Sequence, residues 1–94
     1  MANYYSTSVA GHDYAQAHTR YYTDGTVELY SYTTCIITIT PDGWLSCTGL
    51  YSMTTIKHIG WFMRERGMNY YLAKQMYMDN KEYNINTGEV RDRV

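Results

Sequence analysis

Apolar and polar residues alternate without interruption from Thr26 to Thr40. The odd positions carry most of the apolar side chains, the even positions are rich in Tyr and Thr, and the segment contains neither Gly nor Pro. A period of two is typical of a strand with one buried face, and a β-bulge normally shifts the phase of such a pattern. The alternation therefore predicts one long strand whose buried face carries Val27, Leu29, Cys35, Ile37 and Ile39 and whose other face carries Tyr30 and Tyr32.

Turn-forming residues flank this segment on both sides. Thr23-Asp24-Gly25 precedes it and Pro41-Asp42-Gly43 follows it, and both triplets suit three-residue hairpin loops. Such loops pair apolar residues with apolar residues and polar residues mostly with polar ones: Ile39 with Leu45, Ile37 with Cys47, Tyr21 with Val27, Thr19 with Leu29, and Arg20 with Glu28. The sequence thus predicts an antiparallel β-meander over about 17–22, 26–40 and 44–51.

A helical period begins after residue 51. Ser52 or Thr54 is a suitable N-cap, and Ile56, Ile59 and Met63 recur at helical spacing before Gly67 ends the helix. A second helix is expected near 69–78 and an edge strand near 81–90, while residues 1–16 are open between a strand at 3–9 and a helical turn. The expected fold is α+β, a single domain over 1–94 in which a meander with a long central strand packs against one or two C-terminal helices.

Composition narrows the functional classes. The chain has 94 residues and a net charge of −1, from 8 Lys and Arg against 9 Asp and Glu, which is unlike the basic balance of a dedicated duplex-DNA binder. No apolar run approaches the roughly 18 residues of a membrane span, and the N-terminus has no secretory-signal pattern. We therefore expect no membrane association and a location in the bacterial host cytoplasm.

The sequence offers no catalytic or metal-binding motif. Cys35 and Cys47 are the only cysteines, and we expect both to be buried, reduced thiols. The three histidines form neither HxH nor HExxH. We accordingly expect no catalytic residue, no metal and no cofactor.

Two aromatic groups are candidates for partner binding. Lys57, Trp61 and Arg64 share one helical stripe opposite the apolar one, with His58 beside them, and a Trp between cations can anchor a protein or stack on a base. The second helix or the C-terminal tail could instead cover Trp61. Tyr30 and Tyr32 form the other group, although aromatic residues also favour strands for purely structural reasons.

The segment from Leu29 to Gly67 resembles a family of small phage-encoded proteins of unknown function. The shared pattern falls on Ser31-Tyr32-Thr33-Thr34, on Asp42-Gly43 and on the stretch YSMTTIKHI at 51–59, with a departure at Ile56, where the family pattern has a basic or polar residue. The resemblance implies a phage or prophage origin and an α+β fold, and it brings no catalytic residues.

These observations lead to two functional hypotheses. The first is a phage-encoded, non-enzymatic inhibitor of a host defence system, anti-CRISPR-like, that docks on a host protein such as a CRISPR effector or another defence complex. The alternative is a small nucleic-acid-binding accessory protein that uses the basic and aromatic helix face, including Arg66. The near-zero charge favours the first, because backbone binding to nucleic acid depends on neutralising phosphates. A homodimer is compatible with either.

Overall fold

The computed structural model describes residues 3–93. Seven strands form one antiparallel sheet in which each strand pairs with its neighbours in sequence order, and two helices are inserted between the fifth and sixth strands. The elements are β1 (Tyr4–Ser8), β2 (Ala17–Tyr22), β3 (Val27–Ser31), β4 (Thr34–Ile39), β5 (Trp44–Cys47), α1 (Met53–Glu65), α2 (Tyr70–Asp79), β6 (Lys81–Asn84) and β7 (Val90–Asp92). The α+β class is confirmed, and two strands follow the helices.

Both predicted hairpins have the expected register. Ile39 pairs with Leu45 and Ile37 with Cys47 across the turn at 41–43, and Arg20 pairs with Glu28 across the turn at 23–25. Gly25 and Gly43 have φ values of 98° and 96°, a conformation that side chains disfavour. The Asp-Gly turns therefore fix the meander as expected.

The prediction of a single long strand over 26–40 was wrong. The chain turns at Tyr32 and Thr33, so that β3 and β4 form a hairpin in which Tyr30 pairs with Cys35. A register shift then leaves Ile36 as an extra residue before Leu29 pairs with Ile37. A two-residue turn inverts the odd–even phase, and the bulge at Ile36 inverts it again. The two shifts cancel, and the sequence keeps the phase of an unbroken strand.

One consequence concerns Cys35. The hairpin places it opposite Tyr30 on the face of the sheet away from the helices, where it is half-buried, whereas Cys47 is buried in the core. The expectation that Cys35 belongs to the core was therefore wrong. Both cysteines are free thiols, and burial raises the pKa of each.

Helices α1 and α2 cover one face of the sheet. The N-cap of α1 is Ser52, whose Oγ accepts from the Thr55 N–H, and Gly67 closes the helix with a φ of 75°. The buried face of α1 carries Thr55, His58, Ile59, Phe62 and Met63, whereas Ile56 is only half-buried. The buried stripe is thus rotated toward Thr55 and His58 relative to the predicted one.

The structure also shows the conformation of the N-terminal segment and the ends of the second helix. Residues 4–8 form strand β1, and α2 is capped by Asn69 and ends at Asn80 in the left-handed conformation. In the described chain, neither helix is long and apolar enough to span a membrane.

Candidate binding surface on helix α1

A buried chain of hydrogen bonds ties the end of β3 to the start of α1. Ser31 Oγ lies 2.9 Å from His58 Nδ1 and 3.2 Å from Thr55 Oγ1, and all three residues are buried. Burial, with a smaller contribution from the neighbouring charge of Lys57, lowers the pKa of His58. His58 is therefore a neutral internal residue that positions its neighbours, and the expectation that it flanks an exposed helix surface was wrong.

Tyr32 follows this fixed point directly. Its backbone N–H donates to Gln16 O at 2.7 Å, and its φ of 58° is unusual for a bulky residue. The side chain is half exposed, with its ring centroid 6.0 Å from that of His58. A strained conformation thus holds an aromatic ring at the surface beside α1.

Trp61 is partly covered by the loop between β1 and β2. The His12 ring stacks on it with centroids 3.7 Å apart and an angle of 16°, and His12 Nδ1 lies 3.0 Å from the hydroxyl of Tyr14. The elements expected to cover Trp61 were α2 or the C-terminal tail, and no sequence pattern pointed to His12. The stack immobilises the indole and carries Tyr14, which is 81% exposed, to the same surface.

The exposed part of this region follows one stripe of α1. Met53, Lys57 and Trp61 recur every four residues, Met53 is 80% exposed, and Lys57 Nζ lies 5.4 Å from the Trp61 ring centroid. We call the set the α1 surface: His12, Tyr14, Tyr32, Met53, Lys57 and Trp61. The four-residue spacing of Met53 is a sequence signal that could have placed it with Lys57 and Trp61.

The basic residues of α1 differ in their availability. Lys57 and Arg64 are exposed, and neither forms a salt bridge with another residue in the described part of the chain. Arg66 is engaged, because its Nη2 donates to the Tyr21 hydroxyl at 2.7 Å and its guanidinium lies 3.9 Å from the Phe62 ring centroid. The basic group considered for nucleic-acid binding is therefore smaller than its sequence indicates.

Tyr30 lies on a different surface from Tyr32. The face of the sheet away from the helices, here called the open face, carries Tyr4, His18, Arg20, Tyr22, Glu28 and Tyr30. The Arg20 guanidinium lies between two rings, 4.5 Å from the Tyr4 centroid and 4.1 Å from the Tyr30 centroid. Burial, with the nearby Glu28 carboxylate, raises the pKa of Tyr30 to about 12. The turn at Tyr32 thus separates the two tyrosines that the alternation had placed together.

The open-face side chains are largely satisfied by one another. His18 stacks on Tyr30 with centroids 5.2 Å apart, and the Tyr22 hydroxyl donates to Glu28 at 2.6 Å. Arg20 and Glu28 are opposite each other in the ladder, yet they make no salt bridge within 4 Å, because each is engaged by tyrosines. These residues form a packed layer in which most polar groups are engaged, with the buried Arg20 Nε as the exception.

Within the described residues, no group of three or more His, Cys, Asp or Glu side chains could hold a metal ion. The buried Ser31–His58 pair also lacks a carboxylate partner among the contacts of the described chain.

Comparison with known proteins adds one assignment. A family model described as a family of unknown function (DUF8033) matches residues 6–84. The chain belongs to this family. The match confirms the resemblance to a family of unknown function. It runs from the middle of β1 to the end of β6 and so includes every residue of the α1 surface. No curated protein and no solved structure matches the chain.

Proposed function

We propose that this DUF8033 protein binds a protein partner through the α1 surface and acts as a phage-encoded inhibitor of a host defence system. The observation that carries the proposal is a group of exposed large side chains: Tyr14 and Tyr32 lie near an indole that is already fixed in place, and Met53 lies two turns before it on the same stripe of α1. Aromatic and Met side chains are enriched in the cores of protein interfaces. Restriction to a host defence partner rests on the resemblance of residues 29–67 to phage-encoded proteins.

Preorganisation supports a binding role. The stack of His12 on Trp61 and the hydrogen bond between Ser31 and His58 hold the surface before any partner binds. A surface that is ordered in the free protein loses less conformational entropy when it binds, so more of the contact energy remains as affinity. An inhibitor that blocks a defence complex sterically needs such a surface and does not need a catalytic group.

Charge favours a protein over a nucleic acid as the partner. Lys57 and Arg64 are the exposed cations of α1, and Asp13 is an exposed carboxylate in the loop that carries His12 and Tyr14. A surface with so small an excess of positive charge releases few counterions from a phosphate backbone. Nucleic-acid binding is the competing outcome, and salt dependence distinguishes it.

The test begins with capture from nuclease-treated and untreated bacterial lysate on the immobilised full chain. The variant Tyr14→Ser/Met53→Ser removes two exposed side chains of the α1 surface, whereas Tyr22→Phe changes one hydroxyl on the open face. We expect a partner that survives nuclease, is retained by Tyr22→Phe and is lost with the double variant. Capture that disappears after nuclease treatment would support nucleic-acid binding instead.

A further inference from the structure

The two edges of the sheet are protected very differently. β7 is only three residues long, and Arg91 and Asp92 form salt bridges with Glu82 and Lys81 of β6. β1 is five residues long, with the sequence Tyr-Tyr-Ser-Thr-Ser, and pairs with β2 in unbroken register. Proteins usually block an exposed edge with charges, Pro, bulges or short length, because its free backbone groups can pair with another strand. β1 has none of these protections.

The outward backbone groups of β1 can be identified. Asn3 O accepts from Thr23 N at 2.9 Å, and the N–H of Tyr22 points away from β1 to Thr26 O. Since backbone groups alternate in direction along a strand, Tyr5 and Thr7 bond to β2. Tyr4, Ser6 and Ser8 therefore present their N–H and C=O groups at the free edge, and no other backbone group of the described chain bonds to these three residues.

We propose that β1 pairs with β1 of a second copy of this chain, antiparallel about a two-fold axis at Ser6. The outward groups of Ser6 then bond to those of its counterpart, and Tyr4 of each copy pairs with Ser8 of the other. This register supplies about six backbone hydrogen bonds and joins the two sheets into one.

Side-chain sizes and charges favour β1 of a second copy as the strand that pairs with this edge. In this register each tyrosine faces a small hydroxyl residue of the other copy, Tyr4 opposite Ser8 on the open face and Tyr5 opposite Thr7 on the helix side. No charged residue lies in either strand. The nearest cation is Arg20, and the two copies of it are three strand spacings apart, on the order of 14 Å. Salt screens charges at that separation.

The first measurement is the mass of the full chain in solution across a concentration series, by analytical ultracentrifugation. Ser6→Pro removes an outward N–H and leaves the bonds between β1 and β2 intact. We expect a dimer for the natural sequence and a dimer dissociation constant at least about tenfold higher for Ser6→Pro, with equal melting temperatures at a concentration where both chains are monomeric. A natural chain that stays monomeric at every concentration would overturn the proposal.

A cysteine pair tests the register without depending on the folding of the proline variant. In the proposed dimer the two copies of residue 6 are directly opposite each other, with Cα atoms about 5.5 Å apart, a distance that a disulfide can span. Thr7 is opposite Tyr5 of the other copy, so its own counterpart lies too far away. Under mild oxidation Ser6→Cys should form a covalent dimer and Thr7→Cys should not. Equal cross-linking of the two variants would show that the axis is not at Ser6. The inference is independent of the proposed function, because both readouts need only the purified chain.

Discussion

The α1 surface and the open face are both rich in aromatic residues, but they use them in opposite ways. On the open face, Arg20 lies between Tyr4 and Tyr30, and Tyr22 donates to Glu28, so most of the side-chain contacts are made within the layer, although Arg20 Nε has no hydrogen-bond partner. On the α1 surface, internal contacts fix Trp61 from one side and leave large side chains such as Tyr14 in solvent. Tyrosine content alone therefore does not identify a binding surface, since what matters is whether the contacts of each ring are already made within the fold.

The largest predicted effect concerns His58, which lies buried beneath the α1 surface. His58→Ala should destabilise the protein by about 2–4 kcal/mol, because it leaves a cavity and removes the hydrogen-bond partner of Ser31. His18→Ala, on the half-buried open face, is the matched control and should cost less than half as much. Urea denaturation of both variants measures the difference, and equal losses would show that His58 has no special structural role.

A second prediction addresses the open face. Arg20→Ala removes a guanidinium from between two tyrosine rings and should lower the urea concentration at the midpoint of unfolding. Arg64→Ala removes an exposed guanidinium from α1 and should change stability by less than about 0.5 kcal/mol. If the two variants unfold at the same denaturant concentration, the stacked layer contributes no stability.

A third prediction separates stability from function at one residue. Tyr32 has a positive φ, which costs a residue with a side chain about 1 kcal/mol and glycine almost nothing. Tyr32→Gly should therefore leave the protein as stable or slightly more stable, while it weakens partner binding. A thermal melt and a binding titration of the same variant test this. A clear loss of stability without any loss of affinity would place Tyr32 in the structural framework.

The smallest expected effect is a dependence of stability on pH. Burial is the main cause that lowers the pKa of both His58 and His18 below the ordinary 6.5. Above pH 6.5 both folded and unfolded histidines are neutral, and this contribution to stability is fully present. As the pH falls below 6.5 the unfolded chain takes up protons first, so stability decreases until the lower folded pKa values are reached. Denaturation curves between pH 7.5 and 5 should show the decline in stability. The variants His58→Gln and His18→Gln then show how much of the decline each histidine contributes.

Local chemistry made part of this structure predictable. The Asp-Gly turns, together with the pairing of apolar with apolar and polar with polar residues, correctly predicted two hairpin registers. The N-cap at Ser52 and the glycine at 67 correctly predicted the two ends of α1. The β3–β4 hairpin was hidden because its turn has no Gly or Pro, and because the bulge at Ile36 restores the phase that the turn inverts. Alternation identified the buried residues on either side of the turn and the bulge, but it assigned Cys35 and Ile36, which lie between the two shifts, to the wrong faces.

The candidate surface was only partly predictable for a related reason. Lys57 and Trp61 were found because helical spacing is a local property, whereas His12 and Tyr14 reach α1 from a loop that is distant in sequence. The buried role of His58 likewise depends on Ser31, which the assumption of a continuous strand had placed in the middle of β-structure.

The proposed binding site is the α1 surface. Because Trp61 packs partly against the core, its truncation would mix stability with affinity, and the exposed pair Tyr14 and Met53 gives the cleaner test. The measurement is a titration of the captured partner with the natural chain, with Tyr14→Ser/Met53→Ser and with Tyr22→Phe, at low and high salt. We predict at least about 30-fold weaker binding for the double variant, equal to about 2 kcal/mol, little change for Tyr22→Phe and a shallow salt dependence. Unchanged affinity of the double variant would show that the partner binds elsewhere, and affinity that falls steeply with salt would indicate a nucleic acid as the partner.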